Sequence, residues 1–149
     1  MLLLTSVLCL LPVILSLSVY DALPDQIAIH WNNAGKPDNF ASKAMVAFGL
    51  PLVFLLVNLY SKVRLYNDPK RADNNHSQAM QMIATWMLPL LSLISVPLSL
   101  FVAMGASIPI AIIIPVFVGI VLILCGNYLP KCRQNYTIGI KLPWTLHDV

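Results

Sequence analysis

Few side chains in this sequence could do chemistry. The 149-residue chain holds three histidines, three cysteines and six aspartates, and it has no glutamate. Without Glu the His-Glu-x-x-His arrangement of a metalloprotease cannot be written. Gly-x-Ser-x-Gly, the phosphate-binding loop and Gly-x-Gly-x-x-Gly are also missing. His30 stands near Asp25 and Asp38 in sequence, whereas His76 and His147 lie far along the chain. A zinc site needs several ligands converging from one side, and these spacings supply no such set. No catalytic residue, metal site or cofactor is therefore expected. Cys9, Cys125 and Cys132 form no Cys-x-x-Cys pair and read as free thiols.

The elements that must position these residues follow from composition. Hydrophobic residues make up 58% of the chain and charged residues 10%, against about 25% charged in ordinary soluble domains. Mean hydropathy is +0.79. A soluble enzyme, a disordered tail and a nucleic-acid-binding module are excluded on these grounds. Charge-free runs then mark the spans. Met1 to Tyr20 and Ala44 to Ser61 carry no charge, and neither do the 57 residues from Asn74 to Pro130. About 20 apolar residues cross a bilayer, so the long run holds two helices, with the turn at Gly105 to Pro109. The expected fold is an all-α integral membrane protein. Its four-helix transmembrane bundle spans 1–20, 44–61, 81–104 and 109–129, with a structured outer loop between helices 1 and 2. No Lys or Arg precedes the first span, which argues for an uncleaved anchor rather than a signal peptide.

Basic residues orient the spans, because Lys and Arg concentrate in cytoplasmic loops. Segment 62–80 carries Lys62, Arg64, Lys70 and Arg71, and tail 130–149 carries Lys131, Arg133 and Lys141. Loop 21–43 carries only Lys36 and Lys43, beside three Asp. That loop is expected outside, and both termini inside. Within the spans, Thr5, Cys9, Pro12 and Ser16 share one helical face, as do Thr85, Ser92, Ser95 and Ser99. Ala111, Pro115, Gly119 and Gly126 form a small-residue face on the fourth helix. All three faces read as packing seams. Pro51, Pro89, Pro97 and Pro115 are expected to kink their helices.

Two segments are richer than connections require. In the outer loop, Gln26 to Trp31 reads as an extended stretch with a turn at Asn32 to Gly35. Alternation there predicts Ile27, Ile29 and Trp31 on one face and His30 on the other. The inner segment 126–146 mixes base, aromatic and turn residues in a way that suits a membrane surface. Together these residues carry a resemblance. Leu23-Pro24 through His30-Trp31-Asn32, then Gly35, Pro37-Asp38 and Lys43, resembles the small domain that opens SdpI-type immunity proteins. Gly126-Asn127, Pro130-Lys131, Asn135, Gly139-Ile140-Lys141 and Trp144-Thr145-Leu146 resemble that family's second signature. Lys141 stands where members typically carry Arg, and longer members continue into two further spans, so this chain resembles a member shortened at its C-terminus.

The resemblance implies a membrane protein that protects a bacterial cell against a secreted antimicrobial peptide. It also implies a signalling role, in which a cognate transcriptional repressor is held at the membrane. On that implication Asp25, His30, Trp31, Asn32, Gly35 and Asp38 would meet the peptide toxin. Lys131, Arg133, Asn135, Gly139, Lys141 and Trp144 would meet the repressor or membrane lipids. A small transporter or export helper is the alternative, weakened by the charge-free spans. The topology is testable with single cysteines at Asn33, Asn74 and Thr145 in a cysteine-free background. An impermeant thiol reagent applied to intact cells should label the first and spare the other two; the opposite pattern would invert the orientation.

Overall fold

A computed structural model describes residues 1–32, 34–67 and 78–128. Four helical spans, Leu2–Ala22, Met45–Tyr66, Gln78–Ala103 and Ile110–Tyr128, are long and apolar enough to cross a membrane. The first consists of α1 (Leu2–Leu10), α2 (Pro12–Val19) and a closing 3-10 turn, Tyr20–Ala22. Pro12 has no N–H to continue the ladder. Leu11 nevertheless keeps helical dihedrals, and its carbonyl accepts the N–H of Ile14 at 3.1 Å. The helix therefore tightens at this point and continues.

Two antiparallel strands follow, β1 (Gln26–Trp31) and β2 (Pro37–Ser42). The extended stretch and turn read from the sequence are both present. The second strand was not expected, since Pro, Asp and Asn are poor strand formers. Pro37 is accommodated because it opens a strand of a two-stranded sheet, where a missing donor is tolerated. A π-helical turn, Met45–Gly49, then leads into α3 (Leu50–Tyr66), with the Leu50 N–H bonded to the Met45 carbonyl. Pro51 thus sits in the first turn of α3, not in its interior as a kink. Pro89 and Pro97 lie inside α4 (Gln78–Ala103), and Pro115 lies inside α5 (Ile110–Tyr128). Gly105 adopts φ +92°, and the N–H of Ala106 returns to the carbonyl of Phe101 at 3.0 Å. Such a left-handed glycine is a common helix terminator.

α3 runs past the charge-free stretch, so Lys62 and Arg64 belong to a helix and not to the loop assigned to 62–80. Charge limits the hydrocarbon-spanning stretch, but it does not limit the helix. Long basic side chains can keep their apolar stems along it and their heads toward water.

The predicted seams divide. Thr5, Cys9, Pro12 and Ser16 are all buried, as are Thr85, Ser92 and Ser99, whereas Ser95 is only half-buried. Asn58 on α3 donates its Nδ2 to Thr5 Oγ1 at 3.3 Å, and Ser92 on α4 donates to the Cys9 carbonyl at 2.8 Å. One face of the first span thus binds both of its neighbours through buried polar contacts. The fourth helix behaves differently. Ala111, Pro115 and Gly126 are exposed, and a Cβ at Gly119 or Gly126 would meet nothing within 4 Å. Among the described residues α5 buries only Ile110, in its first turn, and that face packs as no seam there.

Replacing either buried donor should weaken the bundle. Ser92→Ala and Asn58→Ala should each lower stability by about 0.6 kcal/mol, and at most about 1.7 kcal/mol, as interhelical hydrogen bonds in membranes do. Leu122→Ala, at a side chain 65% exposed, should change it less. Denaturation by SDS in mixed micelles would measure all three.

Candidate functional site

The hairpin is fastened at its base and at its tip. At the base, the Lys43 N–H donates to the Asp25 carbonyl at 3.0 Å, and Lys43 Nζ lies 3.3 Å from the Asp25 carboxylate. The same Nζ stands 5.3 Å from the centre of the Tyr20 ring, within cation–π range. Tyr20 in turn packs against Phe48, with ring centres 5.3 Å apart. Ile27, 1% exposed, inserts among Leu23, Val46, Val96 and Leu100. That contact seats β1 on the ends of the spans. Asp25 is therefore part of the fastening, distant in register from His30 and Asp38.

At the tip, Asn32 organises the turn. Its side-chain oxygen accepts the N–H groups of Ala34 at 2.9 Å and Lys36 at 3.1 Å. Its backbone N–H donates to Lys36, and its carbonyl accepts from Gly35 at 2.8 Å. Gly35 takes φ +71°, and a Cβ there would stand 3.0 Å from the Cβ of Ala111. The turn consequently touches the first turn of α5.

Between base and tip the register slips twice. Ala28 faces Phe40 and His30 faces Asn39, so Ile29 is the extra residue on β1. Trp31 then faces Pro37, which leaves Asp38 extra on β2. Bulges of this kind re-aim side chains, and strict alternation fails here as a result. Ile27 is buried but Ile29 is 37% exposed, contrary to the shared face expected for them. The slips also bring His30 Nδ1 to 2.6 Å from Asp38 Oδ1. A carboxylate only accepts, so Nδ1 carries the proton. Both side chains are substantially exposed. Among the described residues, no three His, Cys, Asp or Glu side chains gather as a metal site would require.

Beneath the hairpin lies a cavity of about 640 Å³, within the range usual for ligand sites. His30, Trp31 and Asn32 line it from the hairpin side. Leu50 and Phe54 of α3 line it too, with Ser95, Leu98 and Ser99 of α4 and Ile110, Ala111, Ile114 and Pro115 of α5. Three of the six outer candidates thus line one cavity, while Gly35 lies against the lining residue Ala111 and Asp38 pairs with the lining residue His30. The remaining candidates, Lys131, Arg133, Asn135, Gly139, Lys141 and Trp144, fall outside the described residues. Sequence reasoning did not find the helical walls. Ser95 and Ser99 were visible as part of a polar stripe, but Phe54 and Ile114 carried no signal in uniformly apolar runs.

A family profile described as "Domain of unknown function (DUF1648)" matches residues 7–55. That stretch takes in most of the first span, the whole hairpin and the start of α3. The chain is also 32% identical over 133 residues to the protein named "Immunity protein SdpI" of Bacillus subtilis (strain 168). Over most of its length the chain resembles SdpI-type proteins. The match covers 89% of this chain and 61% of that relative, so the chain spans about three-fifths of the relative's length. No solved structure matches it.

The tip contact separates Gly35 from the other glycines. Gly35→Ala places a Cβ in the left-handed region, which costs about 1–2 kcal/mol, and crowds Ala111. Gly119→Ala places one in open space inside a helix, where Ala is favoured over Gly. Thermal unfolding in detergent should show a loss for the first variant and none for the second.

Proposed function

We propose that this chain is a membrane immunity protein that protects its cell against a secreted antimicrobial peptide. The observation that carries this reading is the likeness to SdpI over nearly the whole chain, joined to the placement of the likeness. The segment matched by the family profile builds the hairpin that roofs the cavity. On the basic-residue count this hairpin end faces outward and both termini face the cytoplasm. A peptide arriving from outside would then meet Trp31, His30 and Asn32 first. Aromatic anchors commonly dominate such contacts.

A second role is supported by the sequence of the inner tail. In sequence, Lys131, Arg133 and Lys141 are interspersed with Tyr136 and Trp144, a mixture suited to anionic lipid at about 1 kcal/mol per basic residue or to an acidic patch on a repressor. Lys141→Arg would preserve lipid attraction, whereas Trp144→Ala would abolish docking that depends on shape.

The direct test replaces SdpI in Bacillus subtilis strain 168 by this chain and exposes the cells to conditioned medium from the parent strain. Survivors should exceed those of the empty deletion strain at least tenfold. Trp31→Ala should remove most of that gain at unchanged membrane abundance. A Trp31 that only anchors the hairpin in the interface would leave Trp31→Phe fully protective, and full protection by His30→Ala, Trp31→Ala and Asn32→Ala alike would remove the hairpin from the mechanism.

A further inference from the structure

A second cavity, of about 490 Å³, lies at the end of the bundle away from the hairpin. The start of the first span, the last turns of α3 and the first turns of α4 come together there, and Leu2, Leu59, Lys62, Val63 and Tyr66 are among the residues that line it. Lys62 follows directly on the charge-free stretch from Ala44 to Ser61. It therefore stands at the depth where α3 first carries a charge. Tyr66, about one turn further on, is exposed and of a type that favours the headgroup region. The cavity lies at the level where hydrocarbon gives way to headgroups.

Its electrostatics are one-sided. Lys62 makes no ion pair or hydrogen bond among the described residues, whereas Arg64 on the same helix is engaged. The described aspartates, Asp21, Asp25 and Asp38, all belong to the hairpin end. In sequence, segment 62–80 carries four basic residues against two Asp. An ammonium has three donors and no acceptor, and it serves phosphate as a point charge. The walls beside it are apolar. Leu2 and Val63 are exposed and Leu59 is half-buried, so the cavity is continuous with the lipid-facing surface of the helices.

We propose that this cavity binds an anionic phospholipid, with the headgroup phosphate against Lys62 and an acyl chain along Leu2, Leu59 and Val63. The proposal is independent of the immunity reading. Basic pockets between membrane helices on the cytoplasmic side suit anionic headgroups, and the basic-residue count puts this end there. A soluble anion would answer Lys62 but leave the apolar walls against water. A zwitterionic lipid would fill the walls, but its own cation competes with Lys62 for the phosphate. An anionic lipid answers both features at once.

The test titrates the purified full chain in neutral detergent with phosphatidylglycerol or phosphatidylcholine and counts bound lipid by native mass spectrometry. Phosphatidylglycerol should bind at least about fivefold more tightly, the factor that one basic residue contributes near a lipid surface. Lys62→Gln should remove that preference and Lys62→Arg should keep it. Lys36→Gln, at an exposed lysine of the hairpin turn that does not line the cavity, should leave it unchanged. Leu59→Trp fills the apolar wall without touching the charge and should weaken phosphatidylglycerol as well. Equal affinity for the two lipids, an undiminished preference in Lys62→Gln, or an equal loss in Lys36→Gln would overturn the proposal. Displacement of the lipid by an equal concentration of glycerol phosphate would also overturn it, making a soluble anion the ligand. Where Lys62→Gln does not fold, Leu59→Trp decides, and unchanged phosphatidylglycerol affinity in that variant refutes the site.

Discussion

The insertion of Ile27 between the ends of the spans is the contact on which the rest of this structure depends. A two-stranded hairpin in isolation is marginal at best, and the exposed ion pairs of this one add little, since such pairs contribute about 0–1 kcal/mol. Ile27, with Leu23 beneath it, is buried against Val46, Val96 and Leu100, which come from the second and third spans. One apolar side chain thereby fixes both the height and the direction of β1. The polar residues that follow are held in place by it: the two slips begin directly after Ala28, and they carry His30 to Asp38. Together with the contact of Gly35 against Ala111 at the tip, Ile27 sets how the hairpin lies on the helices.

The bundle is uneven in how its helices associate. The first three spans share a buried polar seam, in which Thr5 and the Cys9 carbonyl each serve a neighbouring helix. In a bilayer the apolar surfaces of helices gain little from meeting each other rather than lipid, so such specific contacts decide which helices associate. Only 6% of the α5 span is buried, against 28% for α4. What holds its first turn close is Ile110 below and the hairpin tip above, where Gly35 lies against Ala111. The cavity beneath the hairpin lies beside this first turn, between α5, α4 and the hairpin.

Much of this was legible in the sequence, and the rest was not for identifiable reasons. Charge-free runs located all four spans because burying a charge in hydrocarbon is costly enough to be avoided. The face of Thr5, Cys9, Pro12 and Ser16 was legible because small polar residues at helical spacing have few other uses in a membrane. Gln26 to Trp31 and the Asn32–Gly35 turn followed from β-branched and turn residues. β2 was hidden because Pro37, Asp38 and Asn39 read as loop until a partner strand is present. The bulges were hidden for a similar reason, since a register slip is a property of two strands and neither sequence alone encodes it. Asn58 escaped notice as one polar residue in an apolar run, although it proves to bridge two spans. The small-residue face of α5 illustrates the opposite error: its spacing matched a packing seam, but spacing records only that close approach is permitted.

The distribution of charge around the hairpin has a consequence for recognition. Asp25 and Asp38, which could have drawn in a cationic partner, are each engaged by a neighbour within the hairpin, and Asn32 has its side-chain oxygen committed to the turn. Three residues chosen from the sequence as contacts thus each commit one side-chain oxygen to the scaffold. Besides Asn32 and His30, what borders the cavity is the Trp31 side chain and the apolar helix faces beneath. Charge attracts over distance but discriminates weakly between partners of the same sign, whereas a cavity walled by fixed side chains discriminates by shape and by what must be desolvated. A protein that had to respond to one peptide in a medium full of ions would be served better by the second. The polar residues of the hairpin are then best understood as the frame that keeps β1 at the cavity mouth.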